Sequence, residues 1–170
     1  MENRSDSIIR LEALTYRIDS QDVLKGLDLE VEAGEIVAIM GRSGSGKTTI
    51  LRFIMGLLRP TSGRVWIQGQ DTTGLREQEM VTIRKQMGMV FQQAALFDSL
   101  TVKENVAFGL REEGGYEEEE IDERVRHNLA LVDLEGIEEK MPAELSGGMK
   151  KRVGVARALI MEPKIMLYDE

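Results

Sequence analysis

The stretch Ile36-Val37-Ala38-Ile39-Met40-Gly41-Arg42-Ser43-Gly44-Ser45-Gly46-Lys47-Thr48-Thr49 decides the fold. Ile36 to Met40 form a continuous apolar run, the pattern of a strand buried on both faces. Gly41 to Thr48 match G-x-x-x-x-G-K-[ST] at every required position. A helical pattern follows from Thr49 to Leu58, with Ile50, Ile54 and Leu57 on one face, and Pro60 and Ser62-Gly63 stop it. Strand, glycine-rich turn and helix, in that order, make a phosphate cradle. Glycines let the backbone wrap closely around phosphate, and successive N–H groups form an anion nest. The helix N-terminus adds partial positive charge. Lys47 can reach a terminal phosphate, and Thr48 offers a hydroxyl to Mg2+. The motif by itself specifies phosphate binding, not a reaction.

Outward from this loop the chain alternates strands and helices. In Leu27-Asp28-Leu29-Glu30-Val31-Glu32 apolar and acidic residues alternate, as in a half-buried strand, and Ala33-Gly34 marks a turn. Val65-Trp66-Ile67 and Met87 to Phe91 are further strands. Thr101 followed by Glu104 is a capping box ahead of a helix carrying Val102, Val106 and Leu110. The acidic run Glu112 to Glu120, with Gly114-Gly115 inside it, predicts an exposed loop running into a helix start, where carboxylates suit the helix dipole. Ile121, Val125, Leu129 and Val132 mark one helical face, and another helix is predicted from Gly148 to Met161 with Val153, Ala156 and Leu159 inward. Ile165 to Tyr168 is a final buried strand.

The chain has 170 residues, 42% hydrophobic and 31% charged, which suits one ordinary globular domain. It has no cysteine, which excludes a disulfide framework or a thiolate metal site. No apolar run reaches the roughly 18 residues of a membrane helix, and the start carries no stretch of signal-peptide length. These features predict a cytoplasmic protein. A net charge of −8 argues against a broad nucleic-acid surface. The ten methionines read as core and helix fillers, and Glu117 to Glu120 as a solvated helix start.

Leu145-Ser146-Gly147-Gly148-Met149 precedes Lys164-Ile165-Met166-Leu167-Tyr168-Asp169-Glu170, an apolar strand ending in two carboxylates. An Asp there can hold Mg2+ through its water shell, and a Glu beside it can polarise an attacking water. Together with the phosphate loop, these segments closely resemble the ATP-binding cassette (ABC) ATPases over essentially the whole chain. Leu145 to Met149 resembles the signature motif, and Gln92 the glutamine of the Q-loop. The resemblance implies an α/β fold: a P-loop NTPase (RecA-like) sheet core, an N-terminal antiparallel β portion and a helical ABC subdomain. It divides the single domain into residues 1–97, with the β portion and P-loop core, 98–147, the helical subdomain, and 148–170, the signature helix and second carboxylate strand.

The resemblance also implies that two cassettes sandwich two ATP molecules, each between the phosphate loop of one copy and the signature motif of the other. The residues it assigns to ATP are Gly41, Arg42, Ser43, Gly44, Ser45, Gly46, Lys47, Thr48 and Thr49, with Ser146, Gly147 and Gly148 serving the partner copy. Thr48, Gln92 and Asp169 are implied at Mg2+, and Lys47, Gln92 and Glu170 in catalysis. Met149, where the family usually has glutamine, together with Met141-Pro142-Ala143-Glu144 and the run Phe91 to Val102, resembles the ATPases of MCE/Mla-type phospholipid transporters. That subgroup implies a permease, an MCE-domain lipid-binding protein and a place on the inner face of the cell membrane.

The aromatic that stacks on adenine in the family falls at about Ile18, two residues from Tyr16, which reads as an ordinary strand aromatic. The D-loop and switch histidine of the family would lie beyond Glu170. His127 does not replace the latter by position and reads as a surface helix residue. The expectation is therefore a fragment lacking the C-terminal part of the core, which binds nucleotide and hydrolyses it poorly alone. Two other readings share the motifs: a small-solute importer ATPase, and a soluble ABC protein of DNA repair or translation.

Overall fold

Alternating apolar and acidic side chains from Leu27 to Glu32 build one strand of the first sheet. The computed structural model describes residues 7–19 and 21–169, in two compact units, Met1–Arg84 and Lys85–Glu170. Residues 1–6, where no export signal was expected, and Glu170 lie outside the described residues.

In the first unit β1 (Ser7–Ile18) pairs antiparallel with β2 (Gln21–Glu32) and with β3 (Ser62–Ile67), and β3 with the short β4 (Gln70–Asp71). The sheet order is β2-β1-β3-β4. Along β2, Leu27, Leu29 and Val31 are half-buried while Asp28, Glu30 and Glu32 are exposed, as the alternation requires. The turn at Ala33-Gly34 closes with the Glu35 N–H donating to the Glu32 carbonyl at 3.2 Å. Ile9, Leu11, Leu14, Val65 and Ile67 are buried on the sheet. Ile50, Phe53 and Ile54 of α1 (Lys47–Ile54) and Met80 and Ile83 of α2 (Glu77–Arg84) are buried in the same unit.

Helix α1 is shorter than the sequence pattern suggests. It stops because Gly56, at φ +63, reverses the chain into a Schellman motif. The Leu57 N–H reaches the Arg52 carbonyl at 2.8 Å, and the Gly56 N–H reaches that of Phe53 at 2.9 Å. A side chain at position 56 would also strike Met80, whose Cε lies 2.5 Å from where a Cβ would stand. Leu57 is thus exposed beyond the helix instead of lying on its buried face.

A larger departure concerns Ile36 to Met40. This apolar run forms no strand among the described residues, and Ile36 and Met40 are 97% and 91% exposed. A buried strand needs neighbours that complete its ladder on both edges, and no described strand pairs with these residues. Composition sets the preference; a partner strand has to realise it.

In the second unit β5 (Met87–Val90) and β6 (Ile165–Tyr168) pair in parallel, Met87 opposite Ile165 and Val90 opposite Tyr168. Between them run α3 (Val102–Glu113), α4 (Glu118–Ala130), a short 3-10 helix (Pro142–Glu144) and α5 (Gly147–Leu159). The three α-helices share a core in which Val102, Val106, Val125, Leu129, Val153 and Ala156 are almost fully buried. The capping box ahead of α3 is present: the Thr101 hydroxyl accepts from the Glu104 N–H at 3.2 Å, and the Glu104 carboxylate from the Thr101 N–H at 2.7 Å. That bond holds the Glu104 carboxyl below its ordinary pKa. No helix of the described residues is long and apolar enough to cross a membrane.

Candidate functional site

The phosphate loop is built by left-handed glycines. Gly44 and Gly46 sit at φ +78 and +93, a region L-residues avoid. The Ser45 N–H closes a tight turn on the Arg42 carbonyl at 3.1 Å. A Cβ at position 41 would stand 2.7 Å from Ser45 Oγ, so a side chain there would make the Ser45 hydroxyl turn away. Arg42 and Ser43 are exposed at the rim, whereas Lys47, Thr48 and Thr49 are half-buried on the first turn of α1. The Lys47 ammonium folds back over the loop, donating to the carbonyls of Gly41 (3.0 Å) and Arg42 (3.2 Å). The N-cap of α1 is Gly46, which has no side-chain cap to offer, and the first turn holds no carboxylate. A helix start with no side-chain cap and no carboxylate in its first turn, lined with a lysine, fits an anion.

Tyr16 is engaged elsewhere. Its ring meets Phe53 edge-on, centroids 5.2 Å apart, so it serves the packing of the first unit. Ile18 is exposed.

In the second unit the predicted residues gather at the carboxyl ends of the two parallel strands. Gln92 follows β5 and is exposed; Asp169 follows β6 and is half-buried. The Asp169 N–H donates to the Val90 carbonyl at 3.0 Å, which extends the ladder and brings Asp169 beside the exit of β5. Loops at the carboxyl ends of parallel strands are where α/β sheets place ligand groups. Among the described residues no three His, Cys, Asp or Glu side chains form a metal cage.

Ser146 is the N-cap of α5, its hydroxyl accepting from the Met149 N–H at 3.3 Å. Gly147 and Gly148 are exposed, and a Cβ at either would meet nothing within 4 Å. Nothing in the chain's own packing therefore requires glycine there. Of the basic residues that follow, Arg152 donates to the carbonyls of Val132 (2.8 Å) and Asp133 (3.1 Å), closing the end of α4. His127 is exposed on α4.

Two residues went unnoticed in the sequence because no motif marks them. Asn105 of α3, fully buried, accepts from the Phe97 N–H (2.8 Å) and donates to the carbonyls of Phe97, Leu100 and Thr101 (3.0 Å each). Arg157 of α5 donates to the carbonyls of Ala95 (2.7 Å) and Ala94 (2.8 Å), and burial lowers its pKa from the ordinary arginine value. Both therefore bear on the segment that follows Gln92. A buried polar side chain within a helical apolar pattern is the one available signal, and it does not say what the side chain holds.

Comparison with known proteins matches the profile described as "ABC transporter" to residues 24–170. The chain belongs to the ABC transporter family. This cassette is 51% identical over 144 residues to the methionine import ATP-binding protein MetN of Carboxydothermus hydrogenoformans, covering 85% of the chain and 42% of that protein. It is 45% identical over 177 residues to protein TRIGALACTOSYLDIACYLGLYCEROL 3, chloroplastic, of Arabidopsis thaliana, covering 100% of the chain and 51% of that protein. The cassette thus spans about half the length of the curated relatives it matches. Among solved structures it resembles the cassette MJ0796 in a dimeric, post-hydrolysis state bound to ADP and Pi, with TM-score 0.88, 38% identity, and 95% of this chain and 73% of that one covered. It also resembles cbiO1 of Clostridium perfringens, part of the ABC transporter complex cbiONQ, with TM-score 0.87, 34% identity, and 97% of this chain and 66% of that one covered. The α/β P-loop fold with its antiparallel sheet is that of the family, whose cassettes bind ATP with Mg2+.

Proposed function

We propose that this cassette is the ATP-binding subunit of an ABC transporter, hydrolysing ATP in a two-site dimer on the cytoplasmic face of a membrane permease. The observation that carries the reading is the loop Gly41–Thr48: left-handed glycines opening an uncapped helix under a half-buried lysine. Lys47 neutralises the β- and γ-phosphates. Thr48 and Asp169 would hold Mg2+, which would supply Lewis-acid neutralisation of the phosphate charge. Gln92 orients Mg2+ or water. Glu170 polarises the water whose oxygen bonds to the γ-phosphorus as the bond to the β,γ-bridging oxygen breaks, leaving ADP and phosphate. Ser146, Gly147 and Gly148 of each copy close over the other's nucleotide. Titration of the protein with a fluorescent ATP analogue tests the reading: saturable, Mg2+-dependent binding supports it, and no binding at millimolar analogue sinks it.

For the cargo, we infer a small solute. The support is the similarity to MetN at 51% identity, joined by the Fe(3+) ions import protein FbpC of Brucella abortus at 46% over 162 residues. Two observations favour a lipid instead: a relative matching 100% of the chain carries a galactolipid in its name, and Met149 stands in the signature position. Purification of the cassette with its partners separates the two. A permease accompanied by a small-solute binding protein supports the importer; a permease accompanied by an MCE-domain protein supports lipid transport.

A further inference from the structure

The turn that presents Gln92 is held from another helix. The Ala94 N–H donates to the Phe91 carbonyl at 2.9 Å, so Gln92 and Gln93 are the two central residues of a closed β-turn. The chain then takes an unusual course. Ala94 and Ala95 both adopt left-handed backbone, φ +60 and +46, although neither is glycine. Such conformations persist only where the surroundings over-determine them. Here Arg157 of α5 over-determines them: its guanidinium donates to the Ala94 and Ala95 carbonyls at 2.8 and 2.7 Å. Gly154, one turn earlier on α5, lets the helix approach so closely that a Cβ there would touch Ala94 at 3.4 Å. Among the described residues no carboxylate pairs with Arg157. Its half-buried charge is satisfied by backbone carbonyls and by Phe97, whose ring centroid lies 5.9 Å from the guanidinium carbon.

We propose that Arg157 is a positioning residue that fixes the Gln92 turn to α5, the helix whose N-terminus carries Ser146, Gly147 and Gly148. The inference rests on the roles assigned above to Gln92 and Ser146 and deepens them. The two are joined through one planar, two-pronged side chain, so displacement of α5 is passed to Gln92 and the reverse. Asn105 anchors the far end of the same segment at Phe97 to Thr101 and limits the moving part to Gln92 through Leu96.

The test uses the absence of cysteine in this chain. A nitroxide on Gln93→Cys reports the motion of the turn, alongside steady-state ATPase of the full-length protein. Arg157→Ala is expected to mobilise the label and lower kcat on the order of tenfold to a hundredfold while KM for ATP stays within about twofold. Arg157→Lys keeps the charge but loses the fork, and is expected to give intermediate mobility and turnover. If Arg157→Ala unfolds, the lysine variant decides. A label as immobile as in the parent, or a loss confined to KM, overturns the proposal. The label needs no ATP. A parent protein that binds no nucleotide would defeat the proposed function while the spectra still judged the clamp.

Discussion

Two glycine-rich helix starts in this chain look alike in sequence and are built on opposite terms. At α1, glycine supplies conformation: Gly46 is the N-cap at φ +93, no side chain caps the helix, and the first turn is free of carboxylates. At α5, serine supplies the cap, from ordinary extended backbone, and the two following glycines supply only room. The first start is shaped to hold an anion within its own loop. The second is a finished, stable helix end whose glycines leave its surface bare. The proposed two-site dimer asks for this difference, one start serving its own chain's nucleotide and the other a second copy's.

Substitutions at the two starts can break or sharpen the contrast. Lys47→Ala removes the cation from the first start, and ATP hydrolysis is expected to fall on the order of a hundredfold to a thousandfold, read by phosphate release. At the second start, Gly148→Ala is expected to cost on the order of a hundredfold in hydrolysis. It should leave the chain itself slightly more stable, by about 0.5–1 kcal/mol, because alanine is the better helix former. If hydrolysis survives that change, glycine there is not making room for a second copy. Gly46→Ala is expected to destabilise the chain by about 1–3 kcal/mol, measured by denaturant unfolding. The added Cβ must take a left-handed conformation and meets Leu24 at 3.0 Å. Ser146→Ala should cost about 1 kcal/mol in the same experiment, the ordinary worth of a lost N-cap.

The smallest effect concerns a third helix start, at α3, where both cap and carboxylate are present. The Glu104 carboxyl is held below its ordinary pKa chiefly by the Thr101 N–H. Its contribution is therefore full above the unfolded-state carboxylate pKa and disappears as pH falls through the lowered folded value. The stability of Glu104→Gln should accordingly differ from the parent near neutrality and converge with it in acid, as followed by unfolding at several pH values.

Much of the candidate site was legible because its signals are local. The loop Gly41–Thr48 and the capping box Thr101–Glu104 each involve groups a few residues apart, and the equally local cap at Ser146 was passed over. Alternation along Leu27 to Glu32 likewise reads directly as a half-exposed strand. The apolar run Ile36 to Met40 misled because it specifies burial without specifying a neighbour. The end of α1 was misplaced because Gly56, the stopping residue, was passed over for the more conspicuous Pro60.

The sequence by itself determined the glycine-rich turn into α1, the Thr101–Glu104 capping box, the buried faces of α3 and α4 and the family, since all of these follow from side-chain type at short spacing. Only the tertiary structure decided what Asn105 and Arg157 do. Their partners are main-chain carbonyls, which every residue possesses and no sequence pattern advertises. In the case of Arg157 those carbonyls lie 63 and 62 residues away. A side chain that recognises backbone can be found only once folding has brought that backbone within reach.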